Sequence, residues 1–158
     1  MKPDSFTSKW GGLLSRESGD NREERSIFVQ KSETPKTQRQ LNLYYYFLFI
    51  KKVLNRVGAK EVLEAGAGRG TISLYLASYL GLKVSLLDNV EEAMTLARKA
   101  FAERGLAAEC FTEDVLRTHF AGESFDAVVS IGLAEHFEED AVKELFEEQY
   151  RLLRPGGV

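Results

Sequence analysis

The chain has 158 residues, a formal net charge of −3 and 44% hydrophobic residues. This length predicts one domain that buries about 70% of the surface of its unfolded chain. The acidic balance gives no concentrated basic face and argues against a nucleic-acid partner. Cys110 is the single cysteine, so no disulfide forms within one chain, and no Cys and His residues have the spacing of a metal site. The apolar run from Leu41 to Ile50 is shorter than the ~20 residues that span a bilayer, and the N-terminus lacks the apolar core of an export signal. We therefore expect a cytoplasmic protein with no metal and no membrane partner.

Residues 1–34 form a polar N-terminal segment, which we expect to be either a lid or a disordered segment. Thr34 and Pro35 match an N-cap followed by proline at the first helical position. Apolar residues then recur at helical spacing, which predicts a helix over residues 35–57. With Tyr44 to Tyr46, the aromatic face of this helix is wider than a single stripe of side chains. Either this helix packs on the sheet with some rings exposed, or the tyrosines form part of a substrate wall.

The short apolar stretch from Glu61 to Ala65 is typical of a parallel strand that is covered on both faces. It leads into a turn in which Gly66, Gly68 and Gly70 alternate before a helical pattern begins at Thr71. Glycines at this spacing allow positive φ angles and let a ligand approach the backbone closely. A tight strand-to-helix turn without a ligand is the alternative.

The residues around this turn discriminate between two cofactors. A dinucleotide fingerprint has the spacing G-x-G-x-x-G, whereas this chain has Glu64-x-Gly66-x-Gly68-x-Gly70. A carboxylate at Glu64 is unfavourable beside a pyrophosphate but favourable beside an ammonium group. S-adenosylmethionine carries an ammonium group and a cationic sulfonium, and it has no phosphate. The pattern therefore favours S-adenosylmethionine over NAD.

Acidic residues also follow the next two predicted strands. The strand Lys83 to Asp88 ends in an acid where nucleoside-binding folds place the carboxylate that binds the ribose hydroxyls. Asp88 also suits an N-cap for the following helix, and one carboxylate has acceptor sites for both roles. After a third strand, Ala108 to Thr112, Asp114 is the better candidate to accept from the adenine amino group. Glu113 and a solvated turn are the alternatives.

A fourth strand is predicted from Phe125 to Ile131, and the loop after it contains His136. This loop would lie above the carboxyl edge of the sheet, where ligands bind in doubly wound folds. His136 is the candidate base there for a hydroxyl acceptor, and a helix cap or a solvated side chain is the alternative. Helical patterns over 71–80, 90–104 and 138–153 alternate with the strands. This alternation predicts a doubly wound, Rossmann-like α/β fold with a mainly parallel sheet and flanking helices.

The segments VLEAGAGRG, LLDN, TEDVL, ESFDAVVSIGLAEHF and LLRPGG, in this order, resemble a class I S-adenosylmethionine-dependent methyltransferase of the small-molecule type that includes quinone-biosynthesis enzymes. The resemblance covers Glu61 to Val158 and implies a methyltransferase domain over residues 35–158. It implies S-adenosylmethionine as cofactor, S-adenosylhomocysteine as product and a small-molecule methyl acceptor. It places His136 on the substrate side as the catalytic residue. The cofactor site that it implies consists of Glu64, Gly66, Ala67, Gly68, Asp88, Asn89, Asp114, Val115, Ile131 and Gly132.

Members of this family continue past the L-x-P-G-G turn into further strands, whereas this sequence stops at Val158. We therefore expect a fold that is truncated at its C-terminus, with the fourth strand as a bare edge. A second copy, a swapped segment or residues 1–40 would cover that edge, so we expect a homo-oligomer or a segment swap. Three functions stay open: a small-molecule methyltransferase, an inactive S-adenosylmethionine-binding module, and an NAD-dependent oxidoreductase, which the glycine spacing disfavours.

Overall fold

Parallel strands in the order β3-β2-β1-β4 form the central sheet of the computed structural model, which describes residues 28–158. Every pairing within this sheet is parallel. The predicted doubly wound α/β fold is therefore confirmed. The strands are β1 Glu61–Ala65, β2 Lys83–Asp88, β3 Glu109–Thr112 and β4 Ala127–Val129.

Helices cover both faces of the sheet because successive strand side chains point to opposite sides. They are α1 Gln38–Val57, α2 Thr71–Leu80, α3 Glu91–Ala102 and α4 Glu139–Leu152, with a short 3₁₀ turn at Ala134–His136. On one face Phe47, Tyr75 and Met94 of α1, α2 and α3 pack with Leu86 of β2. On the other face, Leu145 of α4 packs with the neighbouring strand residues Leu63 and Leu87.

Helix α1 begins three residues later than predicted. Its N-cap is Thr37, whose hydroxyl oxygen accepts from the Gln40 amide over 3.2 Å. The Gln40 side chain accepts in return from the Thr37 amide. This reciprocal capping box satisfies two amides, which the Thr34-Pro35 pair does not offer, so the predicted start at Pro35 is wrong. The predicted end at Val57 is confirmed, and Gly58 caps it in a left-handed conformation.

The predicted polar segment is only partly within the described residues. Phe28 stacks on Tyr75 with ring centroids 4.6 Å apart. The Val29 amide donates to the Tyr75 hydroxyl, and the Val29 carbonyl accepts from Tyr79. Packing on α2 therefore begins before residue 35. The prediction of a lid or a disordered segment for residues 1–27 lies outside the described residues.

The outer edge of β4 is not bare, so that expectation is wrong. The Val128 amide donates to the Val158 carbonyl over 2.9 Å, and the Arg154 amide donates to the Phe125 carbonyl over 2.9 Å. Arg154 also forms ion pairs with Asp126 at 2.8 Å and with Glu61 at 2.5 Å. The residues after α4 thus lie along β4 and pair with it. The homo-oligomer stays a prediction, and the edge of β4 does not support it because that edge is paired at these positions.

Among residues 28–158, no helix combines the length and the apolar character needed to cross a bilayer. The same residues contain no cluster of His, Cys, Asp and Glu side chains that could hold a metal ion.

Candidate functional site

Two adjoining cavities, of about 400 Å³ and about 180 Å³, lie at the carboxyl ends of the strands. They share Gly66, Asp88, Gly132 and His136. The structure brings His136 and every residue of the predicted cofactor site into the lining of this composite cleft, although contact with a ligand remains a prediction for each. The larger cavity adds Asn89, Asp114 and Val115, and the smaller one adds Glu64, Ala67, Gly68 and Ile131.

Glu64 lies at the end of β1 and points to the N-terminus of α2. Its side chain is buried, and Oε2 accepts a hydrogen bond from the Ser73 amide over 2.8 Å. The N-cap of α2 is Gly70, which has no side chain to satisfy the free amides of the first turn. The Glu64 carboxylate therefore provides the negative charge that a helix N-terminus attracts.

Burial makes this carboxyl group a weak acid. It raises the pKa of Glu64 to about 7, although hydrogen bonds from Ser73 oppose the increase. The nearby Asp88 carboxylate adds a smaller increase because two like charges repel. Burial also raises the pKa of Asp88, against hydrogen bonds from the amides of Gly68, Val90 and Asn89. The cleft therefore contains two buried carboxyl groups whose ionised forms a cationic ligand would stabilise.

Asp88 connects β2 to the glycine turn. Its Oδ2 accepts from the Gly68 amide over 2.8 Å, and its Oδ1 accepts from the Val90 amide over 3.1 Å. The N-cap of α3 is Val90, so the alternative role of Asp88 as the N-cap is wrong. A carboxylate has about four acceptor sites, and the amides of Gly68, Val90 and Asn89 use three of them, so about one site remains for a further donor.

The structure distinguishes the two acids after β3. Asp114 lines the larger cavity, and its Oδ1 accepts from the Leu116 amide in the local turn. Glu113 instead forms an ion pair with His119, with Oε1 and Nδ1 2.5 Å apart, and does not line either cavity. Asp114 is therefore the acid available to a ligand here.

The loop after β4 bends sharply over the glycine turn. Gly132 has a φ of +67°, which glycine adopts without strain. The next residue, Leu133, packs on Gly66, and a Cβ at Gly66 would lie 2.7 Å from Leu133 Cδ1. His136 ends the 3₁₀ turn, and its amide donates to the Leu133 carbonyl over 3.1 Å. His136 lines both cavities, and its place on the substrate side stays a prediction.

Sequence reasoning missed the contribution of α1 to the cleft. Arg39 and Leu43 line the smaller cavity, whereas Tyr44 to Tyr46 line neither cavity. Tyr45 and Tyr46 are exposed, at 63% and 49%, which supports the helix that packs with some rings exposed. Arg39 lies four residues before Leu43 on a helix whose orientation against the sheet the sequence does not reveal. Nothing in the pattern therefore indicated that Arg39 reaches the cleft. The other lining residues that were not chosen as cofactor ligands are Arg69, Thr71, Ile72, Leu116, Leu133, Phe137 and Ala141.

Comparisons with known proteins agree with this geometry. Residues 62–157 match the family described as Methyltransferase domain. The ubiquinone biosynthesis O-methyltransferase of Actinobacillus pleuropneumoniae is 29% identical over 115 residues, which cover 70% of this chain and 48% of that protein. The sterol 24-C-methyltransferase of Gibberella zeae is 29% identical over 109 residues, which cover 66% of this chain and 28% of that protein.

Among solved structures, the PH0226 protein of Pyrococcus horikoshii has a TM-score of 0.66 and 26% identity, over 77% of this chain and 57% of that one. The chain spans about half the length of the ubiquinone biosynthesis enzyme that it matches and a smaller share of the sterol enzyme.

Proposed function

Because the chain belongs to the family of methyltransferase domains, we propose that it binds S-adenosylmethionine in the composite cleft and transfers the methyl group to a small-molecule acceptor. The observation that carries this proposal is the Glu64 carboxylate at the N-terminus of α2. A dinucleotide would need that helix end for its pyrophosphate. Here the buried Glu64 carboxyl group already accepts from the Ser73 amide, so a pyrophosphate would compete with it for that amide and would meet negative charge wherever Glu64 is ionised.

A cationic nucleoside without phosphate fits the same cleft. Asp88 is available to the ribose hydroxyls, and Asp114 in the larger cavity is available to the adenine amino group. Glu64 faces the ammonium group of the methionine part, directly or through water. Arg39 lines the smaller cavity and has the charge to bind the methionine carboxylate.

When bound, S-adenosylmethionine supplies a methyl group that its sulfonium has already activated. The residues of the chain have to hold the acceptor in line with that group and exclude water. His136 is available as a base when the acceptor atom is a hydroxyl oxygen.

The acceptor is proposed from the lining of the larger cavity, because the relatives differ in their acceptor atom. One relative is named for transfer to oxygen and another for transfer to carbon. The apolar lining of the larger cavity near His136, formed by Leu116, Leu133, Phe137 and Ala141, suits an apolar or aromatic acceptor.

Calorimetric titration with S-adenosylmethionine, S-adenosylhomocysteine and NAD tests the cofactor. We expect both adenosyl ligands to bind and NAD not to bind at the same concentration. The matched control is Asp88→Asn, which keeps an oxygen acceptor but loses the charge that faces the ribose. Binding of NAD in preference to S-adenosylhomocysteine would overturn the proposal.

A screen of small hydroxyl, amine and carbon acceptors, with S-adenosylhomocysteine formation as the readout, tests the transfer itself. Turnover of any acceptor supports a methyltransferase. Tight binding of S-adenosylhomocysteine without turnover of any acceptor would instead favour a cofactor-binding module.

A further inference from the structure

Leu133 occupies the boundary between the two cavities. Its side chain packs on Gly66, which lines both cavities, while Leu133 itself lines only the larger one. It is half-buried and packs against the hydrophobic cluster beneath α4. The isobutyl group therefore lies against Gly66, one of the residues at which the two cavities adjoin.

Leu133 is also connected to His136 through the backbone. It follows Gly132, whose positive φ begins the bend, and its carbonyl accepts from the His136 amide over 3.1 Å. Leu133 is the N-cap of the turn Ala134–His136, so Leu133 and His136 lie at the two ends of one short turn.

We propose that Leu133 is a positioning residue, which a ligand that spans both cavities displaces and which thereby sets the position of His136. This inference rests on the proposed function, because S-adenosylmethionine has an adenosyl part and an amino-acid part joined at the sulfur. A ligand with both parts must cross over Gly66, where Leu133 lies. Adenosine alone needs only the larger cavity and leaves the side chain in place.

Ligand length provides the first test. Leu133→Phe fills the crossing, so S-adenosylhomocysteine should bind at least tenfold more weakly. The loss for adenosine should be at least fivefold smaller than this, although Leu133 also lines the larger cavity. Leu133→Ala removes the barrier, so S-adenosylhomocysteine should associate at least threefold faster. Leu133→Met has a similar volume and is the matched control, with both affinities close to those of the unaltered chain. Circular dichroism and thermal unfolding show whether each variant folds.

The second test follows His136 directly by NMR. His136 and His119 are the two histidines of the chain, so their ring signals are assigned by substituting either one. His119 pairs with Glu113 outside the cleft and serves as the internal control. We expect S-adenosylhomocysteine to shift the His136 signal in the unaltered chain, and the shift to fall below half in Leu133→Ala, while His119 does not respond.

Two results would overturn the role of Leu133 alone. One is an equal loss of affinity for adenosine and S-adenosylhomocysteine in Leu133→Phe. The other is a His136 shift in Leu133→Ala as large as in the unaltered chain, and this result decides the question even if the phenylalanine variant does not fold. Absence of S-adenosylhomocysteine binding by the unaltered chain would overturn the proposed function as well.

Discussion

The Asp88 carboxylate accepts a hydrogen bond from the Gly68 amide over 2.8 Å, which connects the end of β2 to the turn after β1. Asp88 is 5% exposed, so this contact lies in the interior and not on an open surface. The same carboxylate lines both cavities. Turn geometry and ligand recognition therefore depend on one side chain.

Asp88→Ala should weaken both the fold and ligand binding. The amides of Gly68 and Val90 lose their acceptor, which costs about 1–3 kcal/mol of unfolding free energy. Loss of a charged contact to the ribose should weaken S-adenosylhomocysteine binding by about 2–3 kcal/mol. Urea unfolding and calorimetry measure the two effects. An Asp88→Ala variant with unchanged affinity would show that the ribose lies elsewhere.

Glu64→Gln should change how stability depends on pH. Burial raises the pKa of Glu64 to about 7 from 4.5, so the folded protein holds a proton that the unfolded chain releases between these values. The unfolding free energy should therefore fall by up to about 3 kcal/mol as the pH rises from 4.5 to 7, and Glu64 adds no further change above pH 7.

The glutamine variant lacks this group and should be more stable than the unaltered chain at pH 8. In both proteins Asp88 also makes the unfolding free energy fall as the pH rises, because burial raises the pKa of Asp88 too. Urea unfolding at pH 5, 6, 7 and 8 tests the difference. Parallel curves for the two proteins would contradict a protonated Glu64 in the folded state.

Gly70→Ala should destabilise the protein more than Gly81→Ala. Both glycines have a left-handed φ, +66° and +67°, so both variants have the backbone strain of about 1–2 kcal/mol. A Cβ at Gly81 meets open space, whereas a Cβ at Gly70 collides with a methyl group of fully buried Leu86. Overpacking should add about 1–3 kcal/mol at Gly70 alone. Thermal unfolding of the pair measures the difference, and equal losses would mean that Leu86 moves aside freely.

Arg39→Ala should weaken S-adenosylhomocysteine binding about tenfold and leave adenosine binding unchanged, because only the former has a carboxylate for this cation. Arg56→Ala is the matched control, since Arg56 lies in the last turn of the same helix and lines neither cavity. Calorimetry with both ligands provides the comparison. An equal loss of affinity for adenosine would indicate that Arg39 acts through packing.

His136→Gln should lower kcat for a hydroxyl acceptor by about 10²-fold or more, with a smaller effect on S-adenosylhomocysteine affinity. His119→Gln is the control, because this residue pairs with Glu113 outside the cleft. Initial rates with an acceptor from the screen test the expectation. Undiminished turnover in His136→Gln would remove this histidine from catalysis.

The sequence predicted four strands and the acids at their ends because both depend on local signals, although β4 is shorter, at Ala127–Val129, than the predicted strand from Phe125 to Ile131. A short apolar run followed by glycines, and an acid directly after a strand, are visible without any knowledge of packing. Since parallel strands place their carboxyl ends at one edge, Asp88 and Asp114 were expected to lie near the glycine turn, and both line the larger cavity.

Contacts that depend on the relative placement of elements were not predictable in this way. Arg39 reaches the cleft only because α1 packs against α2 with its N-terminus beside the glycine turn. Leu133 contacts Gly66 because two loops of different strands meet. The capping box at Thr37 was visible in the sequence, but the Thr34-Pro35 pair offered a competing start.

The pairing of Val158 with β4 makes the backbone at this position part of the sheet. The Val158 amide donates to the Asp126 carbonyl over 3.1 Å, while its own carbonyl accepts from Val128. Proline at position 158 would remove the amide that donates to Asp126 and should loosen the pairing along the outer edge of β4.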